Sequence, residues 1–248
     1  MLDTNLILLL SLVSVATLIQ SLTGFGFGLL IMSTFTAFNL LPITSTALLV
    51  CVLSVFNSIE LAYRGRHHVD GVAVKRILIA AFPSILLGFW LLEWLSSAHV
   101  SALKLTLGIC ILVATSLLLI KKSVKTQQSN PFSFYFAGSL GGLLGGLFAT
   151  SGPPVVYHLY RQPWELEQIK CTLLMVFSIS ATTRILLVPF GTWPELTTLY
   201  TTALGIPIVI ISTRLARKLA PMVNVMWVRK SAILLLMLSG VSLVATAG

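Results

Sequence analysis

Residues 141–154 read Gly141-Gly142-Leu143-Leu144-Gly145-Gly146-Leu147-Phe148-Ala149-Thr150-Ser151-Gly152-Pro153-Pro154, in the middle of a strongly apolar chain. Glycine frees the backbone, and the paired prolines remove two amide donors and cannot continue a helix that began before them. In a soluble protein such a stretch would be an ordinary loop. Within a bilayer, non-helical backbone is tolerated only where protein buries it or where it lines a cavity. The meaning of the stretch therefore depends on whether this is a membrane protein.

The composition is that of an integral membrane protein. Of 248 residues, 56% are hydrophobic and 9% are charged, and the mean hydropathy is +0.98. A soluble domain carries about 25% charged residues. Apolar runs of roughly 17 to 25 residues, long enough to cross a bilayer, recur along the chain. Too few polar residues remain to cover a very large soluble core, so we predict a polytopic, all-α membrane protein.

The basic residues lie in short loops between the apolar runs. The net charge of +9 predicts no nucleic-acid partner, because positive charge in such loops sets orientation in the membrane. Every Lys and Arg except Lys104 and Arg184 falls on one side in this arrangement. We predict a multi-pass membrane protein. Its cytoplasmic loops are 64–76, 121–125, 161–170 and 214–230.

The second half of the chain repeats the pattern of the first at an offset of about 125 residues. Each half has a helix pair broken by glycine or proline, followed by three single spans. The predicted repeats are 1–125 and 126–248, together forming one transmembrane domain. Each half crosses the membrane an odd number of times, so the two repeats should be inverted, as in many secondary transporters.

The two breaks leave open how their arms lie in the membrane. The second arms, Leu29–Leu41 and Val155–Tyr160, are short for a full span, which favours re-entrant hairpins over two complete crossings. Residues near Gly24 and Ser151 would then approach the bilayer midplane from opposite sides.

Helices that start at the breaks would aim their N-termini at one shared point. Such an end presents unpaired amide donors and about half a positive charge, so it attracts anions. Ser151 is predicted to cap the second helix, with Pro153 in its first turn. The alternative is that the glycines only permit close helix packing, as we expect for Gly138, Gly141, Gly142 and Gly145. The predicted anion ligands at the breaks are Gln20, Thr23, Gly24, Gly26, Gly28, Thr150, Ser151, Gly152 and Pro153.

Three polar residues within the apolar runs are further candidates. Arg184 is predicted either to bind the anion or to extend its charge to the membrane surface from the outer end of its helix. His158 could line the pathway, relay protons or pack as a neutral ring. Asn57 could join helices or belong to the pathway.

Signals for catalysis and cofactors are absent from the sequence. There is no Walker A loop, nucleophile motif or pair of carboxylates within a span, and so no catalytic residue is predicted. The three cysteines, Cys51, Cys110 and Cys171, lie in apolar runs and are expected to be buried and reduced, without metal-ligand spacing. We therefore predict neither a metal nor a cofactor. An anion channel, a membrane scaffold and an intramembrane enzyme remain the alternatives to a transporter.

The two signatures resemble those of the sulfite exporter TauE/SafE family. One is Gln20-Ser21-Leu22-Thr23-Gly24-Phe25-Gly26-Phe27-Gly28, and the other is residues 141–148 leading to Ser151-Gly152-Pro153-Pro154. The resemblance covers essentially the whole chain. It implies a bacterial inner-membrane permease with about eight spans, for sulfite, sulfonates or another small organic anion. We expect a proton gradient or the membrane potential to drive it, and we predict no particular oligomeric state.

Overall fold

The structure, a computed structural model, describes residues 2–119, 125–223 and 225–246. All regular structure in these ranges is helical, with single 3₁₀ turns at Arg66–His68 and Val188–Phe190. The α-helices are α1 (Leu2–Thr23), α2 (Phe27–Ala37), α3 (Ile43–Arg64), α4 (Gly71–Ala98), α5 (Val100–Leu119), α6 (Pro131–Phe148), α7 (Gly152–Leu159), α8 (Leu166–Leu187), α9 (Leu196–Leu219) and α10 (Val225–Thr246). The predicted all-α, polytopic class is confirmed.

Six of these helices are long and apolar enough to cross a membrane: α1, α4, α5, α6, α8 and α9. Helices α3 and α10 have shorter apolar stretches within 22 residues each. Helices α2 and α7 have 11 and 8 residues, or about 16 and 12 Å at 1.5 Å per residue, against a hydrocarbon core of about 30 Å. The long arm of each broken pair therefore has the length of a span, and the short arm does not.

Contacts between loops define one end of the helix bundle. The amide of Lys125, before α6, donates to the Arg161 carbonyl after α7 at 2.9 Å. Helices α6 and α7 therefore start and finish at the same end. The amide of Asp70, which caps α4, donates to the Thr172 hydroxyl in the first turns of α8 at 3.1 Å.

The opposite end is joined by a second pair of contacts. Lys104 Nζ, near the start of α5, donates to Asn39 Oδ1 between α2 and α3 at 2.8 Å. The Thr192 amide, between α8 and α9, donates to Glu93 Oε2 near the end of α4 at 3.1 Å. Successive spans therefore alternate in direction, as the loop charges predicted.

A row of glycines lets α6 lie directly against α4. A Cβ atom at any of its three positions would collide with a backbone carbonyl oxygen of the facing helix. The row is Gly138, Gly142 and Gly146, and it faces Ile77, Ala81 and Ile85. Gly141 and Gly145 instead lie against Ser151 at the start of α7. The close packing predicted for the glycines of α6 is confirmed.

Helices of the two halves pack against each other in matching pairs. Helix α4 packs on α6, and α9 packs on α1. Helix α3 packs against α8, and α5 packs against α10. Because the first break adjoins α3 and the second adjoins α8, this contact brings the two breaks together.

Candidate functional site

At the first break, a side chain of α1 caps the start of α2. Gly26 has φ 105°, a left-handed conformation that glycine adopts at little cost, and α2 begins at the next residue. Gln20 Oε1 accepts a hydrogen bond from the Phe27 amide at 3.2 Å, and its Nε2 donates to Ser58 Oγ. Gln20 therefore caps α2 from outside that helix.

The second break turns at Ala149, which has φ 54°. Ser151 occupies the N-cap position of α7, but its side chain makes no capping hydrogen bond, so this part of the prediction is wrong. A capping side chain needs an extended backbone, whereas Ser151 is already helical at φ −72° and ψ −3°. Its Oγ lies against Gly145 instead. Pro153 is in the first turn of α7, as predicted.

The two breaks meet around a small cavity, which we call the central cavity. An added Cβ on Gly28 would lie 3.0 Å from the Ala149 carbonyl oxygen and 3.4 Å from Thr150 Cβ. The space open to the centre of a water-sized sphere is about 40 Å³. One water needs at least about 10–15 Å³ by this measure. The central cavity therefore has room for a few waters or one small polyatomic ion.

Most of the residues predicted at the breaks line the central cavity. The set that does is Gln20, Gly26, Gly28, Thr150, Ser151, Gly152 and Pro153. Thr23 and Gly24 do not line the central cavity, because they contact other residues. Thr23 Oγ1 donates to the Ile19 carbonyl at 2.7 Å, and Gly24 lies against the Lys170 side chain.

The central cavity also has walls from α3 and α8 that the sequence did not predict. Cys51 and Ser54 come from α3, and Phe177, Ser180 and Ala181 come from α8. The α8 residues precede Arg184 by seven, four and three positions, so all of them share its helix face. Their spacing from Arg184 along α8 could have identified these three residues from the sequence.

Backbone and hydroxyl donors face the central cavity. In α2 the Leu30 amide donates to the Gly26 carbonyl, so the amides of Gly28 and Leu29 precede the hydrogen-bonded part of the helix. The prolines at 153 and 154 leave Gly152 as the amide donor at the start of α7. Ser180, 4% exposed, has a buried hydroxyl with no hydrogen-bond partner in the described chain.

Arg184 is 2% exposed, so the prediction that its charge extends to the membrane surface is wrong. Its Nε donates to the Gly146 carbonyl at 2.9 Å, and its guanidinium lies 5.7 Å from the centre of the Phe89 ring. The guanidinium also interacts with the Cys51 thiol. Among the described residues, no carboxylate forms an ion pair with it.

Arg184 lines a second cavity and not the central one. The second cavity is lined by Thr44, Ser45, Leu48, Phe89, Glu93, Arg184, Val188, Thr192 and Pro194. Cys51, which touches Arg184, lines the central cavity. The facing surfaces of α3 and α8 thus continue from one cavity to the other, with Cys51 and Arg184 at the boundary.

His158 does not line the central cavity. Its ring packs edge-on against Phe134 with 4.5 Å between ring centres. It lies at the end of α7, outside the six helices of spanning length. Burial, with the charges of Lys125 and Arg161, lowers the pKa of His158 from 6.5 to about 4. The ring is therefore neutral at physiological pH, which fits a packed histidine better than a proton relay.

Asn57 joins helices and does not line the central cavity. Its Oδ1 accepts hydrogen bonds from Ser21 Oγ at 3.1 Å and Thr213 Oγ1 at 3.0 Å, which ties α3 to α1 and α9.

The three cysteines are free; Cys51 and Cys171 are buried as predicted, and Cys110 is partly exposed.

Comparison with known proteins identifies the family. The model of the sulfite exporter TauE/SafE family matches residues 8–243. The chain belongs to this family. It is 33% identical over 241 residues to the probable sulfite/organosulfonate exporter TauE of Cupriavidus necator, covering 96% of this chain and 93% of the relative. No solved structure matches the chain.

Membership in the TauE/SafE family confirms the resemblance of the two glycine-rich signatures. It makes the chain a multi-pass membrane transporter of the sulfite exporter family and not an enzyme. The central cavity lies between those same two signatures. Family and geometry therefore point to the same part of the molecule.

Proposed function

We propose that this TauE/SafE protein is a secondary transporter that carries sulfite or an organosulfonate across the cell inner membrane. The anion binds in the central cavity, between the starts of α2 and α7. One observation carries the proposal: the two breaks meet at a small cavity, and beside it lies a buried arginine with no carboxylate partner in the described chain. The Cupriavidus relative is named for the same class of substrate.

The donors around the central cavity suit an oxyanion. The amides of Gly28, Leu29 and Gly152 stand at helix starts, where the helix dipole adds partial positive charge. The hydroxyls of Ser54 and Ser180 can add further hydrogen bonds, and no carboxylate belongs to the lining. A sulfite ion or a sulfonate head group, with three oxygens around one sulfur, matches such a ring of donors.

Arg184 is proposed as the residue that the anion passes. A buried guanidinium without a counter-charge is costly, and an arriving anion would supply that charge. Its position between the central and second cavities supports a route along the facing surfaces of α3 and α8. Thr23, Gly24, His158 and Asn57 are not part of this proposed route.

The proposed architecture is a pair of inverted repeats, 1–125 and 126–248. Support comes from the helix pairing, which keeps its pattern when the halves are exchanged: α4 on α6 corresponds to α9 on α1. In transporters built this way, one repeat moves against the other around a fixed central site. The central cavity, formed by both breaks, is such a site.

The proposed orientation places the basic loops 64–76, 161–170 and 214–230 in the cytoplasm. The fourth basic loop, 121–125, joins them, although residues 120–124 lie outside the described chain. Two contacts support this arrangement, because Lys125 bonds to Arg161 and Asp70 bonds to Thr172 at one end of the bundle.

For the driving force we favour the membrane potential over a proton gradient. Among the described residues, no carboxylate or histidine lines the central cavity, so the structure shows no proton carrier beside the proposed anion. A potential that is negative inside expels an anion, by about 2.3 kcal/mol per charge and 100 mV. Export of a monovalent or divalent oxyanion would then need no coupled ion.

The test is transport by purified protein in liposomes, using sulfite, thiosulfate, sulfonates and carboxylates with an imposed potential or pH gradient. We expect saturable flux of sulfite or a sulfonate that follows the potential. Flux without saturation would make the protein a channel, and a chemically altered product would make it an enzyme. Absence of flux for every sulfur oxyanion, under either gradient, would contradict the proposal.

A further inference from the structure

A large apolar groove, which we call the lateral groove, runs between α5 and the α6–α7 pair. Its volume, on the same measure as the central cavity, is about 480 Å³. It opens sideways, since Val113 and Phe136 in its walls are 54% and 60% exposed. In a multi-pass membrane protein, such an opening faces the hydrocarbon of the bilayer. The lining is Ile109, Cys110, Val113, Ala114, Leu117, Ser133, Phe136, Ala137, Leu140, Leu143, Leu144, Pro153, Pro154, Tyr157 and His158.

Two basic side chains stand at one end of the lateral groove. Arg161 lies over the ring of Tyr157, with 5.4 Å to the ring centre, and donates to its hydroxyl at 3.3 Å. Lys125 is held beside it by the backbone bond to Arg161, and its Nζ donates to Ser129 Oγ at 2.8 Å. Within the described residues, neither cation has a carboxylate ion-pair partner.

The lateral groove is not a necessary consequence of the helix order. Helix α10 packs against both α1 and α2, whereas α5 packs against α7 and leaves the face of α6 uncovered. The uncovered face carries bulky apolar side chains, among them Phe136 and Leu140. The apolar surface and the two cations are therefore present together on this side of the bundle. A partner that fits them has an apolar part and an anionic part.

We propose that the lateral groove binds an anionic phospholipid. One acyl chain lies along α5 and α6, and the phosphate is held by Arg161 and Lys125. Basic pockets between spanning helices suit anionic head groups, and each basic residue near the surface adds to the attraction. A zwitterionic lipid offers the same chain, but its phosphate is already paired with a cation. The charges therefore select the head group, and the groove selects the chain.

The lateral groove adjoins the central cavity through one residue. Pro153, in the first turn of α7, lines both. A bound acyl chain would support the start of α7 from behind. This binding site does not depend on the transported anion, so its test is separate from the transport assay.

Native mass spectrometry of the detergent-purified protein gives the direct measurement, with phosphatidylglycerol and phosphatidylcholine of identical chains as probes. We expect phosphatidylglycerol to bind at least about tenfold more tightly, and the paired substitution Arg161→Gln and Lys125→Gln to remove that preference. Lys218→Gln, an exposed cation on α9, is the matched control and should keep it. Equal binding of the two lipids, or a preference that survives the paired substitution, would overturn the proposal.

The position of the lipid's acyl chain is tested by filling the lateral groove. Val113→Trp places a large side chain in it, and Leu105→Trp places the same side chain on α5 outside its lining. Only the first should weaken phosphatidylglycerol binding. Competition by inorganic phosphate at the lipid's own concentration, or a second copy of the chain crosslinked at Val113→Cys, would show a different occupant and contradict the lipid assignment.

Discussion

Ser178 and Ser180 lie two positions apart on α8, and both have buried hydroxyls without a hydrogen-bond partner in the described chain. Only Ser180 lines the central cavity. A hydrogen bond to a charged group contributes about 1.5–3 kcal/mol. Ser180→Ala should therefore raise the half-saturation concentration for sulfite at least about tenfold in liposomes, while Ser178→Ala leaves it unchanged. Equal effects of the two substitutions would remove Ser180 from the site.

Arg184 and Lys104 are the two cations outside the basic loops, and they differ in burial. Arg184 is 2% exposed at the cavity boundary, whereas Lys104 bonds to Asn39 at one end of the bundle. Removing one partner of a buried charge pair costs about 2–5 kcal/mol, so Arg184→Gln should weaken sulfite transport about thirtyfold or more. Lys104→Gln should have little effect. Wild-type affinity in a folded Arg184→Gln protein would exclude Arg184 as an anion ligand.

The residues of the site differ in how visible they are in a sequence. Gly26, Gly28 and Gly152 could be predicted because glycine and proline interrupt an apolar run wherever the chain leaves the helix. Ser54 and Ser180 could not be predicted, since serine in a spanning helix is common. The direction in which its side chain points depends on how α3 and α8 pack. Thr23, a predicted anion ligand, lies outside the cavity lining, and its hydroxyl bonds to its own helix.

At the scale of one element, α6 depends on its glycine row. Alanine in place of a helical glycine normally stabilises by about 0.8–1.0 kcal/mol. At Gly142 the added Cβ would meet the Ala81 carbonyl of α4, whereas at Gly71 nothing lies within 4 Å. Gly142→Ala should destabilise the protein by about 1–3 kcal/mol through overpacking, which lowers the thermal midpoint in detergent, and Gly71→Ala should not. A Gly142→Ala protein as stable as the wild type would contradict the direct contact of α4 and α6.

The long helices could largely be predicted from the sequence, and the packing of the broken pairs could not. The recurring apolar runs predict long helices, because a bilayer demands a minimum apolar length. The breaks predict a short second arm in each pair, and α2 and α7 are short while α1 and α6 have the length of full spans. That difference arises from where each long arm ends relative to its neighbours, which is a property of packing.

At the scale of the whole molecule, the orientation can be tested by labelling. Single cysteines replace exposed residues in a protein whose native cysteines have been changed to alanine. Ser97→Cys and Glu195→Cys should react with an impermeant reagent on intact cells, and Thr126→Cys only after permeabilisation. The physical reason is the excess of Lys and Arg at the Thr126 end of the bundle. Labelling in the reverse pattern would overturn the proposed orientation.

The pairing of helices between the halves could be anticipated only in outline. The odd number of spans in each half predicts inversion, but which helix packs on which depends on side-chain shape. The contact of α4 with α6 is set by Gly138, Gly142 and Gly146, a spacing that was visible but did not name its partner. The meeting of the two breaks follows from that packing.

The central claim is that the transported anion occupies the cavity between the two breaks, and filling that cavity tests it most directly. Ala181→Leu adds three carbons at the wall of a space of about 40 Å³, and Ala203→Leu adds the same group on an exposed face of α9. Both proteins should elute and melt like the wild type. Radiolabelled sulfite flux in liposomes should be lost in Ala181→Leu and retained in Ala203→Leu. Saturable wild-type flux in the Ala181→Leu protein would contradict the claim.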